Sequence, residues 1–352
     1  MFRHLFLMLP LCGVLHAGID LRLPTENHHL FSDEPEQFYM YVDRDFEGQK
    51  SKPWEGGTYG MVRNALRLGD QVIYTKFHEG IDISPVNRDK AGNPLDLVSS
   101  IADGRVVHTS PVSGNSNYGK YVVVEHTWEN SSFYSLYAHL AEITCNPGDD
   151  VQAGSKLGRM GFTGVGINRE RAHVHFEITM MMSRHYDEWH KGSVGGPNIH
   201  GLYHGFNLTG FDPSRLFTEH QANPELRISD YIASIPVHFK VTVPAKGTLD
   251  FVTRYPWISH GSAEGAASWE ISLSASGVPI AFTPTLRRVD TPVVSWIAPS
   301  TIPQRYLTHN LVTGQQENAT LTASGKQLIT LLTDDFQVST VSKEPAVLRN
   351  KS

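Results

Sequence analysis

Cysteine is nearly missing from this sequence: it has two, Cys12 and Cys145, in 352 residues. A zinc module closed by thiolates needs a cluster of them, and a disulfide-stapled scaffold needs several pairs, so both are excluded. No block of lysines or arginines is present and the net charge is −6, which argues against a nucleic-acid partner. The longest leading apolar run, LFLMLPLCGVL at 5–15, falls short of the roughly 20 residues a membrane-spanning helix needs. No later run is apolar enough to span a membrane. The helical zinc-protease pattern HExxH is absent, because Asp82 stands where a second histidine would follow His78 and Glu79. Helical periodicity is scarce, and there is no internal repeat or low-complexity tract.

What the sequence does contain begins with an export signal. Arg3 and His4 precede the apolar run, and Ala17 is followed by Gly18, which predicts a signal peptide over residues 1–17. Lipid attachment at Cys12 is the alternative, and the bulky Leu11 before it counts against that. Once the leader is cut, Cys145 stands alone and no intrachain disulfide can form. Export without disulfides predicts a periplasmic or envelope protein, or an extracellular one, with no membrane span in the mature chain.

Length allows two domains. Residues 18–70 are irregular and rich in proline, glycine and aromatics. Residues 71–180 hold short strand signals between turns: QVIYTKF, GRVVHTS, GKYVVVEH, SFYSLYAHL, SKLGRM and AHVHFEITM. A polar insertion, 181–217, closes the first domain, 18–217. From 224 to 352, IPVHFKVTV, TLDFVTRY, SWEISLSASGVPIAFTP and KQLITLLT alternate like strands of a sandwich. The expected fold class is all-β and antiparallel, with a β-sandwich-like C-terminal domain of unassigned role. Tyr255, Trp257, Trp269 and Trp296 have two readings there, glycan contact or core, and core is the commoner fate of aromatics in such sheets.

Histidine is abundant, at 18 residues, with many between 78 and 204. In AHVHFEI (172–178) His173 and His175 are two apart in a strand, so both rings share one face. Burying two neutral imidazoles without partners is costly, and a metal is the usual partner. FHEGID supplies His78 and Asp82, which reach one ion only if the chain bends at Gly80. YSLYAHL supplies His139. Two imidazoles and one carboxylate with an open position describe a catalytic zinc site, and the same donors also hold Fe(II). Spacing alone leaves open which of His173 and His175 is a ligand. Glu177 shares their face, as a partner orienting an imidazole or as a solvated carboxylate. Glu79 reads as a loop residue. His126, His185, His190, His200 and His204 read as solvated or core histidines.

Taken together, HxGxD (78–82), DGRVV (103–107), NYGKYVVVEH (117–126), YAHL (137–140), NPGDDVQAGSKLGRMGFTG (146–164) and HVHFE (173–177) resemble the M23 metallopeptidases, the LytM/lysostaphin-type cell-wall endopeptidases. The resemblance covers roughly residues 57–180. It implies a β-rich groove around one Zn2+. Carried over position by position, it makes His78, Asp82 and His175 the metal ligands and His139 and His173 the non-ligand histidines beside them. It also implies a peptidoglycan peptide as substrate and sets Tyr118 and Tyr137 near the groove. NRDKAGNPLD (87–96), NRER (168–171) and the insertion after the last strand depart from the family pattern. A non-enzymatic LytM-like regulator or scaffold is the competing expectation, because some relatives lose ligands; here all five positions are kept.

Overall fold

The computed structural model describes residues 19–247 and 249–336; the expected leader lies outside the described residues. An antiparallel hairpin opens the strand-rich part: β1 (Gly60–Leu68) and β2 (Gln71–His78), turned at Gly69, whose φ of 57° suits glycine. Then follow β3 (Ile81–Ile83), β4 (Leu97–Ser99), β5 (Gly104–Ser110), β6 (Tyr121–Trp128), β7 (Ser131–Ala138), β8 (Leu140–Ile143), β9 (Asp150–Val151), β10 (Lys156–Met160), β11 (Val174–Met181) and β12 (Leu208–Phe211). The main sheet has the order β12-β11-β7-β6-β5-β9, with β3 added beside β11, and a smaller sheet runs β4-β10-β8. Every ladder in them is antiparallel.

Strand β11 is the keystone. All eight of its residues are buried. Val174, Phe176, Ile178 and Met180 enter the main hydrophobic core, while the alternate positions 175, 177, 179 and 181 face the other way. On that second face Tyr121, Val123, Tyr134, Leu136 and Ala138 form a smaller cluster with Met181. A strand buried on both faces explains why AHVHFEITM is so apolar and why its polar residues need partners.

The C-terminal part adds β13 (Phe239–Pro244), β14 (Ser268–Leu273), β15 (Pro279–Thr285) and β16 (Val293–Ile297) in one antiparallel sheet of order β15-β14-β13-β16. All-β and antiparallel describes both parts. Two segments read as strands are helices, however. KQLITLLT lies in Ala323–Thr333, where the Thr322 side chain caps Gly325 N and Ile329 and Leu332 are buried at helical spacing. TLDFVTRY holds the helix Asp250–Arg254, with the rings of Phe251 and Tyr255 packed at 4.7 Å four residues apart. Short apolar runs do not tell helix from strand. Helices therefore lie where a second sheet was expected.

Residues on either side of 217–224 share one contiguous core, from Phe176 and Phe217 to Phe251, Trp269 and Phe282. Tyr255 and Trp269 are buried, Trp257 is half-buried, and Trp296 is 44% exposed. His126 is a core histidine: Nδ1 donates to Asp103 O at 2.8 Å, Nε2 bonds Ser135 Oγ at 2.7 Å, and burial holds its pKa down at about 4. Tyr137 is also core, its hydroxyl accepting from Ile101 N at 2.9 Å, so it is not a groove residue.

Candidate metal centre

His78 ends β2, Asp82 sits in β3, and the register sets His175 of β11 directly opposite Asp82. The chain turns between His78 and Asp82, and Gly80 is needed there for space: a Cβ would lie 2.2 Å from Phe176 O of β11. Close approach to a neighbouring backbone is a different demand on glycine from the bend that the sequence suggested. The result is a nearly equilateral triangle. His78 Nε2 to Asp82 Oδ1, His78 Nε2 to His175 Nδ1, and His175 Nδ1 to Asp82 Oδ1 are each 3.0 Å. Among the described residues this is the one group of three such side chains gathered closely enough for a common ion, and all three are buried.

Hydrogen bonds decide what those three atoms are. His78 Nδ1 lies 2.8 Å from Thr58 O, which only accepts, so Nδ1 carries the proton and Nε2 is a bare lone pair. His175 Nε2 lies 2.8 Å from Glu177 Oε1 and donates to it, which turns Nδ1 toward the triangle. Asp82 Oδ1 only accepts. Three ligand atoms thus converge in a buried pocket; without an ion a proton on His175 Nδ1 bridges to Asp82 Oδ1, and a metal ion would take that proton's place. Burial pushes the Asp82 carboxyl up, but His78, His173 and His175 outweigh it and hold it well below the usual range. Burial likewise pushes His175 down, yet its bonds to Asp82 and Glu177 hold its pKa up at about 10. Donors of a tetrahedral zinc at ~2.0–2.2 Å stand roughly 3.3 Å apart, so edges of 3.0 Å fit one small divalent ion after slight outward movement.

Outer partners hold the three side chains. Arg63 Nη2 donates to Asp82 Oδ2 at 2.5 Å, and its Nε donates to Gly56 O at 2.8 Å, which leaves Oδ1 for the triangle. Sequence reading missed Arg63; YGMVRN reads only as the strand leading to the site. Glu177 Oε1 accepts from His175 and also from Tyr118 OH at 2.7 Å, with Glu177 itself 1% exposed. It orients the imidazole and is not a solvated carboxylate. Replacing Glu177 by Ala should weaken zinc retention by about 10–100-fold, measured by chelator competition. Unchanged affinity would show that His175 needs no outer partner.

His173 and His139 stand beside the triangle. His173 Nδ1 donates to Arg171 O at 2.7 Å, and its Nε2 is 3.4 Å from Asp82 Oδ1. His139 Nδ1 donates to Thr163 O at 2.8 Å, leaving Nε2 bare. The two rings are 4.8 Å apart. His139 has φ 62°, a left-handed backbone that costs a non-glycine residue on the order of 1 kcal/mol and turns it out of line with β7. Burial, then repulsion from His173 and His175, holds its pKa well below normal, so it is neutral.

The insertion supplies other histidines, but none joins the triangle. His200 donates to Asn115 O at 3.2 Å and accepts from Tyr121 OH at 2.8 Å; His204 Nδ1 accepts from Phe206 N. His190 is buried in the helix Tyr186–Ser193, and His185 precedes it. A cavity of about 800 Å3 lies between the insertion and the C-terminal part, touching Glu79 and Tyr118 from the site and Ser276, His309 and Gln327 from the far wall. Glu79 is exposed, as a loop residue should be.

A buried triangle of two imidazoles and a carboxylate, with two further imidazoles beside it, is a donor set suited to one divalent metal ion. Residues 76–187 match the model of peptidase family M23. Murein hydrolase activator NlpD of Escherichia coli K12 is 34% identical over 103 residues, 29% of this chain and 22% of that one. Lipoprotein NlpD of Yersinia enterocolitica is 32% identical over 90 residues, 26% of this chain and 84% of that one. The chain belongs to peptidase family M23. It spans about a fifth of the length of the Escherichia coli relative. Among solved structures, the catalytic domain of lysostaphin from Staphylococcus simulans is 26% identical, with 34% of this chain and 75% of that one covered, at a TM-score of 0.25. A zinc-containing peptidase from Vibrio cholerae is 27% identical, with 40% and 36% covered, at a TM-score of 0.25.

Proposed function

We propose that this protein is an exported zinc endopeptidase that hydrolyses peptide bonds in the stems or cross-bridges of peptidoglycan. One observation carries the reading: three atoms able to ligate one ion, 3.0 Å apart and buried, with two more imidazoles at their side. His78 Nε2, Asp82 Oδ1 and His175 Nδ1 would hold the ion. Zinc supplies a Lewis acid that polarises a carbonyl and brings the pKa of its water toward about 7. The remaining work falls to the chain. His139 Nε2 is bare, and His173 turns its Nε2 to the same side while Nδ1 holds Arg171 O, so either ring would be placed to take a proton from the attacking water. The carbonyl of Arg171 or of Thr163 then steadies the imidazolium through Nδ1–H. The ring that has gained a proton becomes a donor, for the developing oxyanion or the leaving amine. The two roles are interchangeable on this geometry. The peptidoglycan substrate and an envelope location rest on the family, the relatives and the leader.

A second reading is a regulator that binds other hydrolases, favoured by relatives whose printed name is murein hydrolase activator. The retained five-residue set counts against it. Purified mature protein incubated with intact sacculi should release muropeptides detectable by mass spectrometry, and chelator should abolish the release. No release by zinc-loaded protein would remove the peptidase reading. Elemental analysis of the same sample separates zinc from iron. No helix among the described residues is long and apolar enough to cross a membrane.

A further inference from the structure

Strand β2 alternates, so Tyr74, Lys76 and His78 lie on one face of the hairpin. Across the register Arg63 pairs with Lys76 and Ala65 with Tyr74. The face that ends at the metal centre therefore continues outward as a second surface. Residues 42–46 run over it, and between them lies a cavity of about 340 Å3 that also reaches Arg171. This wall belongs to the N-terminal extension, outside the 76–187 family match. The cavity meets the metal centre at two points. Arg63 lines it and donates to Asp82. Arg171 lines it and its carbonyl holds His173.

The charge of this cavity runs against that of the chain. Its walls hold four cations, Arg44, Arg63, Lys76 and Arg171, and two carboxylates, Asp43 and Asp45, a balance of 4 − 2 = +2; the whole chain is −6. Several of these groups are already engaged. Arg44 lies over the Tyr74 ring at 3.7 Å and donates to Glu55 at 2.9 Å, although its Nε is buried without a partner. Asp45 is held by Lys50 at 2.6 Å, and Asp43 accepts from Asp45 N at 3.1 Å. Lys76 is exposed, and Arg171 donates through Nε to Tyr41 O at 3.1 Å with its guanidinium 5.9 Å over the Tyr41 ring; neither meets a carboxylate within 4.0 Å among the described residues. The 800 Å3 cavity that touches the centre through Tyr118 and Glu79 has no lysine or arginine in its wall. The two cavities that border the residues around the centre thus differ in charge.

We propose that the groove between residues 42–46 and the β1–β2 hairpin is a carboxylate-binding subsite, in which Lys76 and Arg171 engage a free carboxylate on one arm of the peptide substrate and so orient it, leaving the uncharged arm for the larger cavity. This deepens the peptidase reading and rests on it for the identity of the ligand as a peptide. Charge-assisted bonds to two unspent cations are the strong kind, and in a partly enclosed groove they are screened less than at an open surface.

Binding tests it without turnover. The zinc-loaded protein is titrated calorimetrically with a synthetic stem peptide bearing free carboxylates, and with the same peptide amidated at each. The expected result is a Kd at least about tenfold lower for the free carboxylate form, narrowing with added salt. Lys76→Gln and Arg171→Gln should each raise that Kd several-fold, with zinc content unchanged and the amide form bound as before. Equal binding of the two peptides by the unaltered protein, or no measurable binding of the carboxylate form, overturns the subsite. Discrimination without release of fragments from sacculi would leave the subsite standing and remove the peptidase reading. Release without discrimination would do the reverse.

Discussion

Replacing His78, Asp82 or His175 by Ala should yield protein that leaves purification without stoichiometric zinc and does not digest sacculi, whereas His139→Ala and His173→Ala should retain zinc and still fail to digest. The split follows from which atoms face the triangle. Each of the first three removes one of only three inner donors, so the loss in affinity should exceed the ~10–100-fold expected for removing an outer partner. The other two imidazoles stand outside the group of three; on the proposed mechanism they supply a proton acceptor, and removing one should lower kcat by roughly 10^2–10^4. Asp82→Ala has a second consequence, since it leaves Arg63 Nη2 without its carboxylate beside two histidines. The apo form of that variant should be less stable than apo wild type, read from denaturant midpoints. Metal content by elemental analysis and kcat on released muropeptides together separate the two classes. Full zinc in purified Asp82→Ala, or zinc loss in His173→Ala, would refute the ligand set.

How much of this was legible from residues alone differs from place to place. The triangle was, because a strand with two histidines on one face and a buried apolar other face has few uses, and the order of motifs restricts them further. The choice of His175 over His173 needed the resemblance at the level of sequence. In the fold His175 is the residue opposite Asp82, and its outer nitrogen is committed to Glu177, which is consistent with that proposed choice. Arg63 and Tyr118 were not legible as partners, since each reaches its carboxylate across 19 or 59 residues of chain and no local pattern marks that. Gly80 was legible for the wrong reason, because an apposed backbone leaves no local trace. The two C-terminal segments misread as strands show the same limit. In ASGKQLITLLT the cap at Thr322 sits outside the apolar run, and the run by itself also satisfies a strand. The wall that residues 42–46 build against the hairpin depends on packing between segments that sequence reading leaves as loop.

Substituting Arg254 by Ala should destabilise the metal-bearing part, although Arg254 lies in the C-terminal segment. Its guanidinium is largely buried and donates to Met181 O at 2.7 Å and Met182 O at 2.8 Å, at the end of β11, while Nε pairs with Asp250 at 2.6 Å. Its neighbour Tyr255 is fully buried; its hydroxyl donates to Ser132 O at 2.7 Å and accepts from Met181 N at 3.2 Å. Trp257 Nε1 donates to Ser131 Oγ at 3.0 Å, and Tyr59 OH meets Ser276 Oγ at 2.9 Å. These bonds join β11, which carries His175, its neighbour β7, and the approach to β1 to the C-terminal segment, so the expected behaviour is one cooperative unit and not a catalytic domain with an appendage. Losing a buried charged donor that serves two carbonyls costs roughly 3 kcal/mol, and the loss should appear in the unfolding of the whole chain. Hydrogen exchange read by mass spectrometry should show peptides of β11 and β7 losing protection together with those of β13 and β14. If Arg254→Ala loosens only the C-terminal sheet, or a chain ending at residue 224 folds and holds zinc, the two parts are separable and the larger cavity is not a fixed wall of the site.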